Sequence, residues 1–204
     1  MNIKSKKGMT LVEVIATVAI MAIIMIPISL IFTTAYSNFI TESDKSIAQK
    51  SARAVLYGKG LYGNGSISYG VMGDLQRSNV GGSKIKIGDN INGDPNRGIS
   101  ISILDNNNLP IQTYKFDGAE LEYIYIDDKG DPVQEGYFEN DPSDKKKVKV
   151  LDFIVEKQLK GTIIDIDPSS STFTNNELIK VSIIVEYGKS GEIALESSYR
   201  IPIE

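Results

Sequence analysis

The chain has 204 residues, a formal charge of −4 and neither cysteine nor histidine. That inventory excludes thiolate nucleophiles, disulfide staples, histidine-based triads and the usual Cys/His zinc sites. The length suits one membrane segment plus one globular domain, and the acidic balance makes nucleic acid an unlikely partner, because such binders carry a basic footprint.

At the N-terminus Lys4, Lys6 and Lys7 precede Gly8, after which the chain reads Met9-Thr10-Leu11-Val12-Glu13-Val14. From Val14 to Thr41 there is no Asp, Glu, Lys or Arg. As a helix, Met9 to Phe32 would extend roughly 36 Å, enough to cross a hydrocarbon core of ~30 Å. With three lysines before the run and no charge after it until Glu42, the positive-inside rule leaves the leader in the cytoplasm and sends the remainder outward. A secretory signal carries a small-residue cleavage site after its apolar region, whereas here the glycine comes before it. Glu13 is thus a single carboxylate committed to hydrocarbon, and such a group needs a partner.

Lys6-Lys7-Gly8, the segment Met9 to Val14 and the apolar run behind it resemble the leader and N-terminus of type IV pilins and type II secretion pseudopilins. The resemblance covers about the first thirty residues, with charge, glycine, glutamate and apolar run each in a fixed place. It implies that a prepilin peptidase cuts between Gly8 and Met9 and that Met9 is then N-methylated. It also implies that the chain is a substrate and not an enzyme, and it calls for no cofactor. The implied partners are membrane lipid before assembly, an inner-membrane assembly platform, and other pilin subunits met through their N-terminal helices.

Cleavage would free an amine on Met9, four residues from Glu13 on one helix face, so the two could pair within a chain. The family picture instead pairs Glu13 with the amine of a neighbouring subunit, which neutralises two buried charges and sets the axial register. Both pairings stay open, and an uncleaved single-pass anchor is the alternative to either. The Met-Thr-Leu start resembles minor pilins and minor pseudopilins. Pro27 removes one N–H bond and crowds the Ile23 carbonyl, which predicts a kink or local melting; a tolerated membrane-helix proline is the plain alternative.

Farther on, Tyr36, Ile40, Ile47 and Ala54 form a narrow stripe while Glu42, Lys45, Gln49 and Arg53 point away, so the helix continues with one face against a domain. Gly58, Gly60, Gly63 and Gly65 end it. From Ser66 the pattern turns to period two, with Ile99, Ile101 and Ile103 on one face and Leu121, Tyr123 and Tyr125 on another. An extended pair is expected between Val148 and Ile166, turning near Lys160-Gly161. The clearest hairpin runs from Ile179, Val181, Ile183, Val185 and Tyr187 through Gly188-Lys189-Ser190-Gly191 to Ile193, Leu195 and Tyr199. Loops are expected at 88–98, 105–110, 127–147 and 167–177. The resulting organisation is a leader at 1–8, a transmembrane or filament-core helix at 9–35, an amphipathic continuation at 36–57 and an extracytoplasmic β-rich head at 58–204. The fold class is α+β, a long N-terminal helix packed on a mainly antiparallel sheet.

Four groups in the head invite a site reading. Asp127, Asp128 and Asp131 around Gly130 offer oxygens to Ca2+, but the full EF-hand series and a bidentate glutamate are missing, so a polar turn is preferred. Asp165 and Asp167 alternate with Ile164 and Ile166 and read as a solvated strand face rather than a catalytic pair. Lys145, Lys146, Lys147 and Lys149 read as a solvated loop paired with the neighbouring Asp141, Asp144, Asp152 and Glu156, not as a DNA patch. Tyr62, Tyr69, Tyr114, Tyr123, Tyr125 and Tyr137 could build an exposed sugar-binding or subunit-contact patch, though strand propensity accounts for most of them. The combined expectation is a minor pilin-like filament subunit, with a secretion or competence pseudopilin and a filament-borne adhesin head as alternatives.

Overall fold

The computed structural model describes residues 9–58, 60–61, 67–68, 70–78, 84–127, 129–138, 146–158 and 178–200. The chain divides into two units, Met1–Glu42 and Ser43–Glu204. A single helix, α1, runs from Leu11 to Tyr57.

In the first unit every side chain from Met9 to Phe39 is exposed. The residues are aliphatic on all sides of the helix, so this segment has no polar face to turn toward water. Among the described residues α1 is the one helix long and apolar enough to cross a membrane. Helical structure continues without interruption through Pro27. Hydroxyls inside the apolar run bond back to the helix, with Thr17 Oγ1 donating to the Glu13 carbonyl at 2.6 Å and Thr33 Oγ1 to the Ser29 carbonyl at 2.5 Å. Bonded in this way, they bring no unpaired donor into hydrocarbon.

In the second unit the distal part of α1 buries Asp44, Ala48, Ala52, Val55 and Leu56. Steps of four and three keep these residues on one face. The expected stripe of Tyr36, Ile40, Ile47 and Ala54 is therefore misplaced: Tyr36 is exposed and Ile40, Ile47 and Ala54 are only half-buried. Two alanines bring the backbone close to the sheet and a charge occupies the first buried position, neither of which a search for large apolar residues finds. Gly58 closes the helix in the left-handed region at φ 91°, its N–H donating to the Ala54 carbonyl at 2.7 Å, an arrangement that glycine enters without a Cβ penalty.

A two-residue pairing of β1 (Gly60–Leu61) with β2 (Ile67–Ser68) follows, then a second helix, α2 (Gly70–Ser78). This helix corrects the expectation that period two begins at Ser66. Its nine residues bury Val71, Met72, Asp74 and Leu75, too short a stretch for a helical period to stand out. Gly70 has φ +66° and a Cβ there would lie 2.3 Å from the Gly58 nitrogen, so only glycine lets α2 start against the end of α1.

The remaining strands are β3 (Lys84–Asn90), β4 (Arg97–Leu104), β5 (Pro110–Phe116), β6 (Leu121–Ile126), β7 (Pro132–Gly136), β8 (Val148–Gln158), β9 (Leu178–Tyr187) and β10 (Ile193–Arg200). They form an eight-stranded sheet ordered β10-β9-β8-β4-β5-β6-β7, with β3 also paired to β4. Every pairing is antiparallel, as the α+β reading requires. Gly98 on β4 faces Asn90 of β3 and Val155 of β8, and a Cβ there would sit 2.2 Å from the Gly88 carbonyl oxygen. The predicted loop at 88–98 thus contains the end of β3, a 3-10 turn at Ile91–Gly93 and the start of β4, while the loop at 127–147 contains β7.

The expected C-terminal hairpin forms, with Ile193 opposite Val185 and Tyr199 opposite Ile179. β8 pairs with β9 and β4; its expected return strand beyond Lys160-Gly161 lies outside the described residues, as does the loop at 167–177. One core joins Ala48, Ala52, Val55 and Leu56 of α1, Val71 and Leu75 of α2, and the inward Ile, Val and Phe residues of the sheet. The burial alternation of β9, in which every second residue from Ile179 to Val185 is buried and those between are half-buried, shows one face turned to that core.

Candidate processing and assembly site

The N-terminal segment is held by its own side chains. Thr10 precedes the first helical residue, and its backbone N–H donates to Glu13 Oε2 at 2.8 Å while its hydroxyl donates to the same oxygen at 3.0 Å. In return the Glu13 N–H donates to Thr10 Oγ1 at 3.3 Å. This is a capping box, two helix-end donors satisfied reciprocally by Thr and by Glu three residues on. The carboxylate sits in the first turn, where the positive end of the helix dipole also favours a negative charge.

Glu13 therefore has a local partner in the uncleaved chain, Thr10, which the reading of the sequence missed. The spacing Thr-x-x-Glu before an apolar run is the signal that would have found it. Met9 and Thr10 lie ahead of the helix, so the shared helix face assumed for Met9 and Glu13 is absent here. Gly8 lies outside the described residues. Met9 is exposed, and Pro27 remains within continuous helix.

A second polar centre lies in the head. Asp44 of α1 is 2 % exposed and its carboxylate accepts both oxygens' worth of bonds from Lys146 Nζ, at 2.7 and 2.9 Å. It also accepts the Lys189 backbone N–H at 2.8 Å. Lys146 stands at the entrance to β8 and Lys189 in the β9–β10 turn, so one carboxylate pins α1 to both. The Lys146 amine also lies 5.8 Å from the Tyr187 ring centroid, within cation–π range. The hydrogen bonds from Lys146 and then Lys189 hold the Asp44 carboxyl below the usual carboxylate range. Lys146 thus corrects the solvated reading of its lysine run, since its partner is 102 residues away in sequence. Lys147 and Lys149 are exposed, and Lys145, Asp141 and Asp144 lie outside the described residues.

Asp74 of α2 is 3 % exposed and accepts the Tyr114 hydroxyl at 2.6 Å. Burial pushes its carboxyl up to about 6, against the lowering effects of the Tyr114 bond and of Arg77. Burial likewise pushes the Tyr114 phenol well above its ordinary value. Tyr114 and Tyr137 are each 1 % exposed, and Tyr123 packs against both rings at 4.9 and 6.5 Å. The Tyr137 hydroxyl donates to the Ala54 carbonyl. These tyrosines are core residues with their polar ends satisfied and not the exposed patch that composition suggested; Tyr125 stacks on Tyr123 at 5.3 Å, and Tyr62 and Tyr69 lie outside the described residues.

At the β6–β7 turn Asp127 Oδ1 accepts the backbone N–H groups of Lys129 and Asp131, each at 2.9 Å. That oxygen closes the turn, with Gly130 at φ 88°. Asp94, Asp105 and Asp117 accept backbone N–H groups in the same manner at the three preceding turns, so the Asp127 geometry is that of a local Asx turn. Among the described residues no group of three or more acidic side chains is gathered as a metal site; Asp128, Asp165 and Asp167 lie outside those residues.

Residues 3–29 match the family model described as the prokaryotic N-terminal methylation motif. No curated protein and no solved structure matches the chain. The match spans Gly8, Met9, Glu13 and Pro27 and supports a type IV pilin-like or pseudopilin protein, a substrate of prepilin processing.

Proposed function

We propose that the chain is a minor pilin-like structural subunit of a type IV pilus or related filament, assembled from the cytoplasmic membrane after its leader is removed. The observation that carries this is the methylation motif at residues 3–29 set on a helix that stays apolar on all sides. A helix with no polar face must be covered, first by lipid and then by the helices of other subunits. Cleavage between Gly8 and Met9 replaces a peptide nitrogen by a cationic amine two residues ahead of the helix. Glu13 then has a charged partner available in place of the neutral Thr10 donors.

An exchange of partners gives Glu13 a role at each stage. In the precursor the capping box supplies its hydrogen bonds, which lowers the penalty of a carboxylate in the membrane. In the filament an amine, its own or that of a neighbouring subunit, neutralises it as lipid is left behind. Pro27 leaves the Ile23 carbonyl without its usual donor, a place for the helix to stretch as it repacks. Glu13→Ala is expected to insert into the membrane in normal amount and to disappear from the sheared filament fraction. Normal abundance of the variant in filaments would remove the assembly role given to this residue.

The same match includes pseudopilins, so the second reading is a subunit of a secretion or competence machine using the same helix. Deleting the gene for this chain separates the two: loss of surface fibres without loss of an exported substrate points to a pilus, and the reverse points to a secretion machine.

A further inference from the structure

The head contains a cleft of about 120 Å³ between the start of β6, the end of β7 and the start of β8. Leu121, Gly136 and Phe138 are among the residues that line it, together with the charged Glu120, Lys147 and Lys149. The volume is small beside the ~300–1,000 Å³ of sites for drug-sized ligands, so it suits a single ring.

Gly136 is the informative residue. It belongs to a strand, where glycine weakens the element and marks close approach of something else. Unlike Gly70 and Gly188 it does not occupy the left-handed region, and a Cβ built on it would meet nothing nearer than 3.9 Å. Neither backbone conformation nor crowding within the fold calls for glycine there. The missing side chain keeps the cleft open.

The opening has a definite chemistry. Glu120 offers hydrogen-bond acceptors and Lys147 and Lys149 offer cationic donors, and none of the three is in an ion pair among the described residues. Two adjacent cations contrast with residues 58–204 as a whole, where 16 Lys and Arg face 23 Asp and Glu. A ligand with a carboxylate for the lysines, hydroxyl donors for Glu120 and a C–H face for Phe138 fits this set. An aliphatic peptide side chain lacks the first two, and the backbone of a peptide C-terminus, which supplies a carboxylate and N–H donors, lacks a ring face for Phe138.

We propose that this cleft binds a single sugar-acid residue at the end of an acidic glycan. The contact is independent of filament assembly, so failure of either leaves the other standing. The test uses the full chain in nanodiscs, titrated with a glucuronate-terminated disaccharide, its glucose-terminated counterpart and a short Glu-terminated peptide. The expected result is a shift of the Gly136 and Phe138 amide resonances with the acidic sugar alone. Gly136→Val should abolish binding with an unchanged Tm, and Lys147→Ala with Lys149→Ala should weaken it at least tenfold. Equal response to the neutral sugar, response to the peptide in place of the sugar, no shift with any probe, or full affinity in Gly136→Val would each overturn the proposal.

Discussion

At the scale of single residues, three side chains carry most of the argument: Thr10, Asp44 and Asp74. Thr10 supplies both its N–H and its hydroxyl to Glu13. Thr10→Ala keeps the backbone donor but removes the hydroxyl and the cap acceptor, a loss of about 1 kcal/mol of local helix stability. Hydrogen exchange on the membrane-embedded chain should show the amides of Val12 and Glu13 exchanging several-fold faster, with those beyond Pro27 unchanged. No change in the first turn would mean that the capping box contributes nothing there.

Asp44 and Asp74 give opposite pH dependences in separate windows. The Asp74 carboxyl titrates at about 6 in the fold against an ordinary value near 3.9. Folding disfavours its ionised form, so stability rises as pH falls through 6 and the gain is complete below about 4, on the order of 3 kcal/mol. Asp44 is held below the ordinary range by its bonds to Lys146 and Lys189, and Asp117 by backbone N–H groups from Glu120 and Ala119. Their contributions are present above the ordinary carboxylate value and are lost as pH falls below it. Thermal melts should therefore show a maximum between about pH 4 and 5. Asp74→Asn should flatten the limb between pH 4 and 6 and leave the acid limb in place; an unaltered profile in that variant would contradict the assignment.

Among the elements, glycine separates turns that need it from turns that tolerate change. Gly188 has φ +56° and a Cβ there would lie 2.4 Å from Asp44 Oδ2, whereas Gly191 at φ +68° opens on free space. Gly188→Ala must both strain the backbone and displace the carboxylate that pins α1 to the β9–β10 turn. Gly191→Ala carries the strain alone. The first should lower the Tm of the full chain by several degrees more than the second, and equal shifts would show that the Asp44 contact is not specific.

Elements also differ in how far they could be read from residues alone. The strands and turn of the β9–β10 hairpin were legible because β-branched residues alternate along β9 and two glycines bound the turn; its register, Ile193 opposite Val185, was not. α2 was not legible, since nine residues are too few for its short apolar face of Val71, Met72 and Leu75 to stand out, with an aspartate buried beside them. β7 and the end of β3 fell inside expected loops, where Asn, Asp, Gly and Pro at the flanking turns masked the strand residues. The buried face of α1 was displaced because small alanines and a paired charge occupy it. The Asp44–Lys146 pairing is a long-range contact that no local pattern announces. The Thr10–Glu13 pairing was available from spacing alone and went unread beside the more conspicuous charge.

For the whole molecule, the processing motif and the antiparallel head fit one account: an apolar helix that leaves lipid for a filament core, joined to a domain stabilised without disulfides. The central claim is that cleavage after Gly8 creates a methylated Met9 and that the processed chain enters a filament. Mass spectrometry of protein from sheared surface filaments tests it directly. The account predicts an N-terminal peptide beginning at N-methylated Met9 in that fraction, with the leader absent. A chain that retains Met1–Gly8, or that is found only in the membrane fraction while filaments are present, would contradict it.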